Sequence, residues 1–429
     1  MSSLIDILGR YQVLLDRRML ICIGTGLASG MPLYLLIQLV PAWLRLEGVS
    51  LTAIGFFTAV TYPYTLKFLW SPLLERYTLP FLGHRRGWMF VTQALLVLSI
   101  ATLGMWSPVG DIWIITGVAI FISVFSATQD IALDAYRREI LDTDAELALG
   151  NTIHVQAYRI AGLVPGSLGL ILVDFVDWQF NFLVMAGFMV FAMVFTLLIP
   201  ESRKFGPRPD TMIEAVVTPF KEFFSRRSIK SALAVLAFIF LYKLGDNMAT
   251  ALATPFYIDL GFAPSEIGLI AKNAALWPSI IGGILGALVI VRIGINKALW
   301  AFGVVQALTI LGFAWLSGVG ADPLALAIVI GAEYLGVGLG TAASLAFIAR
   351  ETSRLAVATQ FALLTALAAL PRVLASSFSG AIVDAIGWTD FFYLSTLLAV
   401  PGMVVLYWVA PWSDSVPDAE ITDRDDGGD

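Results

Sequence analysis

The densest group of polar side chains within an apolar stretch lies in FSATQDIALDAYRRE, where Ser126, Asp130 and Asp134 are spaced four residues apart. Residues at that spacing share one face of a helix, and two carboxylates on one face repel each other when both are ionised. Such a pair favours a proton on one carboxyl, so we predict Asp130 and Asp134 as proton carriers. Asp134 could instead form a structural salt bridge with Arg137 or Arg138, one turn away.

Other polar side chains in apolar stretches suggest contacts with a solute. Gln129 can both donate and accept hydrogen bonds, which suits a sugar hydroxyl or an amide. Arg159 and Arg372 each lie in the middle of a long apolar stretch, and a planar guanidinium suits a carboxylate or phosphate. The alternative partner for either arginine is an internal acid such as Glu333 or Asp130.

LYKLGDNMAT places Lys243 and Asp246 three residues apart, close enough to pair, with Gly245 loosening the helix between them. The pair would open when a solute or proton arrives, or it would stay closed permanently, because buried charges generally need partners. The predicted substrate-binding residues are Gln129, Arg159, Lys243, Asp246, Glu333 and Arg372.

A charged cluster lies in KFLWSPLLERYTLPFLGHRRGW, which joins two apolar stretches, and consists of Glu75, Arg76, Arg85 and Arg86. We predict that it gates access through salt bridges to neighbouring helix ends and does not bind the solute. The sequence has only two histidines and one cysteine, which argues against a metal site. The sequence lacks a GxxxxGK[ST] phosphate loop, which argues against ATP as the energy source. We expect no cofactor, no metal and no enzymatic activity.

The whole chain is 429 residues long, 58% hydrophobic and 14% charged, which excludes an ordinary soluble protein. Apolar stretches of about 20 residues, enough to span a bilayer, recur along it. We predict an all-α membrane protein with twelve spans, at residues 19–45, 52–75, 88–107, 112–137, 148–173, 179–199, 230–257, 265–291, 297–317, 323–349, 356–383 and 389–411.

Charged residues occur in the interior of only the second, fourth, fifth, seventh, eighth, tenth and eleventh spans. Because charge in hydrocarbon is costly, these helices should border an aqueous cavity, while the third, sixth, ninth and twelfth face lipid. The cavity should be slightly positive once one acid is protonated, which favours an anionic solute. The intramembrane bases are Lys67, Arg159, Lys243, Lys272 and Arg372, and the acids are Asp130, Asp134, Asp246 and Glu333.

Loop charges predict the orientation of the chain in the membrane. Nearly all loop arginines and lysines lie on one side, and the opposite loops hold only Arg45. Cytoplasmic loops carry such an excess, so both termini should be cytoplasmic. Residues 201–228 are predicted as a cytoplasmic linker with an interfacial helix, and residues 412–429 as a disordered acidic tail.

The chain also repeats itself at half its length. GVSLTAIGF from Gly48 recurs as GFAPSEIGL from Gly261, and VDFVDW from Val173 recurs as VDAIGW from Val383. Two six-span halves in parallel orientation, here residues 1–200 and 229–411, describe the major facilitator fold. In that fold the first, fourth, seventh and tenth helices line the cavity, flanked by the second, fifth, eighth and eleventh.

The same segments resemble the AmpG family of anhydromuropeptide permeases. The matching stretches are ASGMPL, IGFF, KFLWSPLLERYTLPFLGHRRGW, SATQDIALDAYRREIL, YKLGD and ATQFALLTALAALPR, and they occur in family order over essentially the whole chain. The family's motif residues correspond to Gly30 in the first span and to Ala127, Gln129 and Asp130 in the fourth.

The resemblance implies a proton-driven importer of the inner membrane. Its solutes would be N-acetylglucosaminyl-1,6-anhydro-N-acetylmuramyl peptides, carried from periplasm to cytoplasm for cell-wall recycling and, in some bacteria, β-lactamase induction. We expect protons and lipid as the other partners, a monomer, and no nucleic acid. The alternatives are a transporter of another anionic solute, such as an acyl-CoA or sugar phosphate, and a non-transporting assembly factor or sensor on the same fold.

Overall fold

The computed structural model describes residues 16–141, 144–202, 224–225, 228–351 and 357–412, which are helical and contain no strand. Ten helices in these ranges are long and apolar enough to cross a membrane, which confirms the predicted all-α membrane architecture. We number the segments α1 (Arg17–Leu46), α2 (residues 51–76), α3 (His84–Leu103), α4 (Ile112–Ile140), α5 (Gly150–Leu172), α6 (Trp178–Leu198), α7 (Ile229–Asp259), α8 (Pro264–Ile293), α9 (Ile295–Val319), α10 (Pro323–Glu351), and α11 and α12 (Val357–Val409, divided at Gly387).

The count of twelve spans stays a prediction, because two places depart from simple spanning helices. The segment α2 is broken into short pieces, and Pro63 and Pro72 stand in the first turns of two of them, where a missing N–H costs little. The segments α11 and α12 are joined through Gly387, whose φ of 78° and ψ of 169° interrupt the helix.

Glycines allow α1 to cross close against α5. A Cβ added to Gly26 would lie 2.4 Å from the His154 carbonyl oxygen, and one added to Gly30 would lie 2.3 Å from that of Tyr158. Small residues four apart let two helix backbones approach in a membrane, where packing replaces the hydrophobic effect. This crossing holds Ser29 of α1 next to α4.

The two halves of the chain contact each other at the end of the bundle that carries Gly48, which we call the Gly48 end. Arg45 donates to both carboxylate oxygens of Asp259, at 2.6 and 2.9 Å. Asp384 accepts the backbone N–H and the hydroxyl of Thr52, at 2.9 and 2.6 Å. Gly380 of α11 packs against the α2 backbone so closely that a Cβ there would lie 1.8 Å from the Leu51 carbonyl oxygen.

Large apolar side chains cover the outer surfaces of α3, α6, α9 and α12, the helices predicted to face lipid. Exposed examples are Leu98 in α3, Phe191 in α6, Leu308 in α9 and Trp408 in α12. The predicted interfacial helix of the 201–228 linker and the tail after Trp412 lie almost wholly outside the described residues. The domain boundaries drawn there therefore stay predictions.

Candidate functional site: a cationic cavity and two buried charge clusters

A cavity of about 270 Å³ lies between the two halves, lined by residues of α1, α5, α7, α8, α10 and α11. Its charged lining consists of Arg159 from α5, Lys272 from α8 and Arg372 from α11. Arg159 and Arg372, predicted from opposite halves, are thus brought together. Among the described residues, the lining contains no acid.

The three cations keep donors available for a solute. Lys272 donates to the hydroxyl of Thr254 at 2.8 Å. Within the part of the chain that the structure describes, neither arginine nor Lys272 forms an ion pair. Three cations without an acid make this cavity suited to carboxylates or phosphates, which accept charge-assisted hydrogen bonds.

Aromatic side chains supply the rest of the recognition surface. Tyr34, Tyr257 and Tyr334 line the cavity, and a tyrosine side chain combines an apolar ring with a polar hydroxyl. The Tyr34 ring packs against that of Tyr158 at 5.4 Å. A solute with both apolar ring faces and hydroxyl groups, such as a sugar, matches this mixture.

Three of the helices that border the cavity contain a π-helical turn beside it. The turns are Leu35–Leu39, Val164–Leu168 and Ile267–Ala271, which adjoin the cavity residues Tyr34, Leu163 and Lys272. A π turn re-aims the side chains around it and is frequent at functional sites. The irregular backbone therefore lies where side chains must be aimed between the halves.

Sequence reasoning recognised Lys272 as a buried base but did not assign it to the solute. A signal was present, because Lys272 has no acid within four residues, whereas Lys243 has Asp246. A lone lysine in an apolar span needs a partner from another helix or a solute. The tyrosines gave no comparable signal, since aromatic residues are common in apolar spans.

The first-half charge cluster consists of Lys67, Asp130, Asp134 and Arg137. Asp130 accepts from Ser29 at 2.5 Å and from Lys67 at 3.3 Å. Asp134 pairs with Arg137 at 3.0 Å and lies 3.8 Å from Lys67, which agrees with the structural alternative for this residue. Two acids face two bases here. The described cavity lining includes no residue of α4.

The family-motif residues surround this cluster and pack α1, α4 and α5 together. Gln129 is fully buried and donates to the Ala28 carbonyl at 2.8 Å, so in this conformation it does not reach the cavity. Ala127 is fully buried in α4. Gly30, at the α1–α5 crossing, leaves no room for a side chain. Nearby, the hydroxyl of Tyr64 donates to Ser126.

The second-half charge cluster consists of Lys243, Asp246 and Glu333. The ion pair between Lys243 and Asp246 has a length of 2.9 Å, and Lys243 also donates to Gln306 at 2.8 Å. Glu333 is fully buried on α10. Two acids thus face a single base.

The predicted gating arginines tie together helices of the first half. Arg85 pairs with Glu139 at 2.7 Å, and the backbone N–H groups of Arg85 and Arg86 donate to the Glu201 carboxylate. The Arg86 guanidinium caps the end of α6 by donating to the carbonyl oxygens of Thr196 and Leu197. These contacts define the opposite end of the bundle, the Arg86 end. The side chains of Glu75 and Arg76 lie outside the described residues.

Comparison with known proteins assigns this architecture to a family. Residues 21–338 match the Major Facilitator Superfamily. The chain is 38% identical over 383 residues to the anhydromuropeptide permease of Escherichia coli K12, covering 89% of this chain and 77% of that protein. The chain belongs to the AmpG family of the major facilitator superfamily. It is a membrane transporter and not an enzyme.

Further relatives cover nearly the whole chain. An uncharacterized protein of Haemophilus influenzae is 46% identical over 404 residues, covering 92% of this chain and 95% of its own length. A putative transporter AmpG 4 of Rickettsia conorii is 32% identical over 394 residues, covering 90% and 94%.

Solved structures of other transporters share the fold. The nucleoside transporter NupG superposes with a TM-score of 0.71 at 12% identity, covering 93% of this chain and all of that one. A D-xylose-proton symporter gives a TM-score of 0.66 at 13% identity, covering 94% and 98%. At such identities the likeness concerns the fold alone.

Proposed function

We propose that the protein imports N-acetylglucosaminyl-1,6-anhydro-N-acetylmuramyl peptides across the inner membrane, driven by the proton gradient. The observation that carries the proposal is the cavity between the halves, whose charged lining is cationic. The relationship to the E. coli permease supplies the solute class. Muropeptides combine sugar rings with the carboxylates of the stem peptide, and the cavity offers tyrosines beside Arg159, Lys272 and Arg372.

The solute would bind with its carboxylates on these cations. Arg159 and Arg372 can each present two parallel N–H donors to a carboxylate, and Lys272 adds a point charge. The cavity volume of about 270 Å³ is below the range of about 300–1,000 Å³ typical of sites for drug-sized ligands. It therefore holds part of a disaccharide peptide, and the halves must separate to take the rest.

Transport requires the two ends of the bundle to open in turn. We assign the Gly48 end to the periplasm and the Arg86 end, with both termini, to the cytoplasm, because the loop arginines and lysines gather at the latter. Opening towards the periplasm then breaks the Arg45–Asp259 pair. The arginines at the Arg86 end, with Glu75 and Arg76, are proposed to steady the first half while the halves rock.

Proton coupling is proposed through acids on the helices around the cavity. Asp130 is the candidate in the first half, because it lies on a polar face of α4 that it shares with Asp134. The Lys67 ammonium lies within 4 Å of both carboxylates. Protonation of Asp130 would release Lys67. Gln129, Lys243, Asp246 and Glu333 are proposed to contribute to the solute pathway in conformations where the halves have moved.

Uptake into proteoliposomes tests the proposal. Full-length protein should accumulate labelled anhydromuropeptide when the lumen is alkaline, and only equilibrate it without a pH gradient. An equal initial rate and an equal plateau under both conditions would refute proton coupling. No uptake above that of empty liposomes would refute the solute.

A phosphate-bearing solute is the second candidate, because three cations without a lining acid suit phosphate as well as carboxylate. Competition separates the two. Unlabelled anhydromuropeptide should suppress labelled uptake completely, whereas a hundredfold excess of a sugar phosphate or of coenzyme A should leave it unchanged. Suppression of labelled uptake by the sugar phosphate or coenzyme A, but not by unlabelled anhydromuropeptide, would favour the phosphate-bearing solute.

A further inference from the structure

Glu333 is a fully buried acid that lies beside a second acid, Asp246. Both of its carboxylate oxygens, and Oδ1 of Asp246, have no hydrogen-bond donor among the described residues. The Asp246 side chain and Thr309 lie beside Glu333. The Thr309 hydroxyl is engaged, because it donates to the Gln306 carbonyl at 3.0 Å. A buried carboxylate without donors is among the most costly groups a protein can hold.

The charge balance of the two buried clusters differs. In the first half, Lys67 and Arg137 offset Asp130 and Asp134, and each acid has a cation within 4 Å. In the second half, Lys243 alone faces two acids, and it is committed to Asp246 at 2.9 Å. Two ionised carboxylates beside each other in a buried site repel strongly, so such pairs share a proton. The second cluster is one positive charge short.

We propose that Asp246 and Glu333 form a proton-binding site in the second half of the transporter, with the proton carried on Glu333. A protonated Glu333 carboxyl can donate to Oδ1 of Asp246, which gives a partner to that atom and to one of the two Glu333 oxygens. Lys243 then neutralises the remaining charge on Asp246. Asp130 needs no proton in the same conformation, because Ser29 and Lys67 already satisfy its two oxygens.

The neighbours of this site link it to the cavity. Tyr257 and Tyr334, which both line the cavity, lie close to Glu333, and Tyr334 also lies close to Arg372. The site also faces Lys243, which donates to the Gln306 amide oxygen. The nearby Tyr242 hydroxyl donates to the Leu299 carbonyl. Through Tyr334, the site neighbours Arg372, one of the three cavity cations.

This arrangement couples a proton to an anionic solute. While Arg372 is unpaired, its positive charge disfavours a proton on Glu333. An anion bound to Arg372 cancels that charge, so proton and anion each strengthen the binding of the other by the same factor. Both then travel in the same direction. The use of the site in transport rests on the proposed proton-coupled import, whereas its occupancy by a proton does not.

Infrared spectroscopy of the purified full-length protein tests proton occupancy without any solute. At pH 7.5 the wild type should show the carbonyl stretch of a protonated carboxyl group that shifts on exchange into D₂O. The band should vanish in Glu333→Gln and persist in Asp130→Asn. It should also vanish in Asp246→Asn, where Lys243 becomes free to neutralise an ionised Glu333, so the test does not depend on one variant folding. A missing band in the wild type, or a band that survives both second-half substitutions, would overturn the proposal.

Transport then tests the use of the proton. Glu333→Gln mimics the protonated state but cannot release the proton, so the ratio of gradient-driven accumulation to exchange of labelled for unlabelled anhydromuropeptide should fall at least tenfold relative to wild type. Accumulation at the wild-type level in Glu333→Gln would show that coupling does not use this site. If wild type itself takes up no muropeptide, the proposed solute fails, and the infrared result still decides whether the site holds a proton.

Discussion

Replacing the cavity arginines by lysine should weaken recognition of the stem peptide selectively. Arg159→Lys and Arg372→Lys keep the positive charge in the cavity but remove the planar, two-pronged donor. Both arginines line the cavity from opposite halves, and neither forms an ion pair with a described acid, so their donors are free to meet solute carboxylates. The sugar rings should depend on them less, because a neutral hydroxyl gains less from a charged donor.

The size of the effect follows from the contact that is lost. A lysine can replace one of two parallel charge-assisted hydrogen bonds, and the other is lost. A hydrogen bond to a charged group contributes about 1.5–3 kcal/mol, or roughly ten- to a hundredfold in affinity. If both arginines hold the same carboxylate, the double variant should lose less than the product of the single losses.

The assay compares the KM for uptake of a peptide-bearing anhydromuropeptide with that for the peptide-free anhydrodisaccharide. Each single variant should raise the KM for the peptide-bearing solute by ten- to a hundredfold and the KM for the anhydrodisaccharide by less than threefold. Arg292→Lys, at the exposed end of α8 and outside the cavity lining, serves as the matched control and should change neither. Equal losses for both solutes would show that the arginines support helix packing and do not read the peptide.

Three further predictions concern topology, gating and coupling. Cysteines introduced at Gly48 or Asp177 should react with a membrane-impermeant reagent added from the periplasm. The native Cys22 is buried and should give little background labelling. Labelling only from the cytoplasm would contradict the orientation. Gly380→Ala should lower the uptake rate at least tenfold, because a Cβ would lie 1.8 Å from a carbonyl oxygen across the closed Gly48 end. Gly283→Ala is the control and should have little effect, because the space around Gly283 is open. Equal uptake rates in the two variants would contradict this gate. Asp130→Asn should abolish gradient-driven accumulation while exchange persists, and accumulation at the wild-type level would remove Asp130 from the coupling mechanism.

Much of the fold follows from the sequence because a bilayer leaves few choices. Backbone groups in hydrocarbon must be paired within a helix, so apolar stretches of sufficient length predict helices directly. The breaks were harder to predict. Pro63 and Pro72 were visible in the second span, yet how many short pieces they produce depends on packing against α4 and α11. The turn at Gly387, by contrast, lies between the predicted eleventh and twelfth spans, which end at residue 383 and begin at residue 389.

The site was only partly predictable, for a different reason. Arg159 and Arg372 were predicted from their mid-span positions, and both line one cavity, while their role towards a solute stays a prediction. Periodicity tells which face of a helix is polar. It does not tell how deep a neighbouring helix lies or which partner is nearer. Gln129 and Asp130 therefore met Ala28 and Ser29 of the closely packed α1, although their helix is polar on the expected face.

The contrast between the two buried clusters suggests how one fold can divide its tasks. The first-half cluster is charge-balanced and joined to α1 through Ser29, so in this conformation it stabilises the packing of α1, α2 and α4. The second-half cluster is unbalanced and lies beside Tyr334, a residue of the cavity. In this conformation the balanced cluster has little reason to respond to a solute, because its charges are already satisfied, so the proposed part of Asp130 in coupling belongs to conformations where the halves have moved. An unbalanced one responds to any charge that enters the neighbouring cavity, which is the property that coupling to a proton requires.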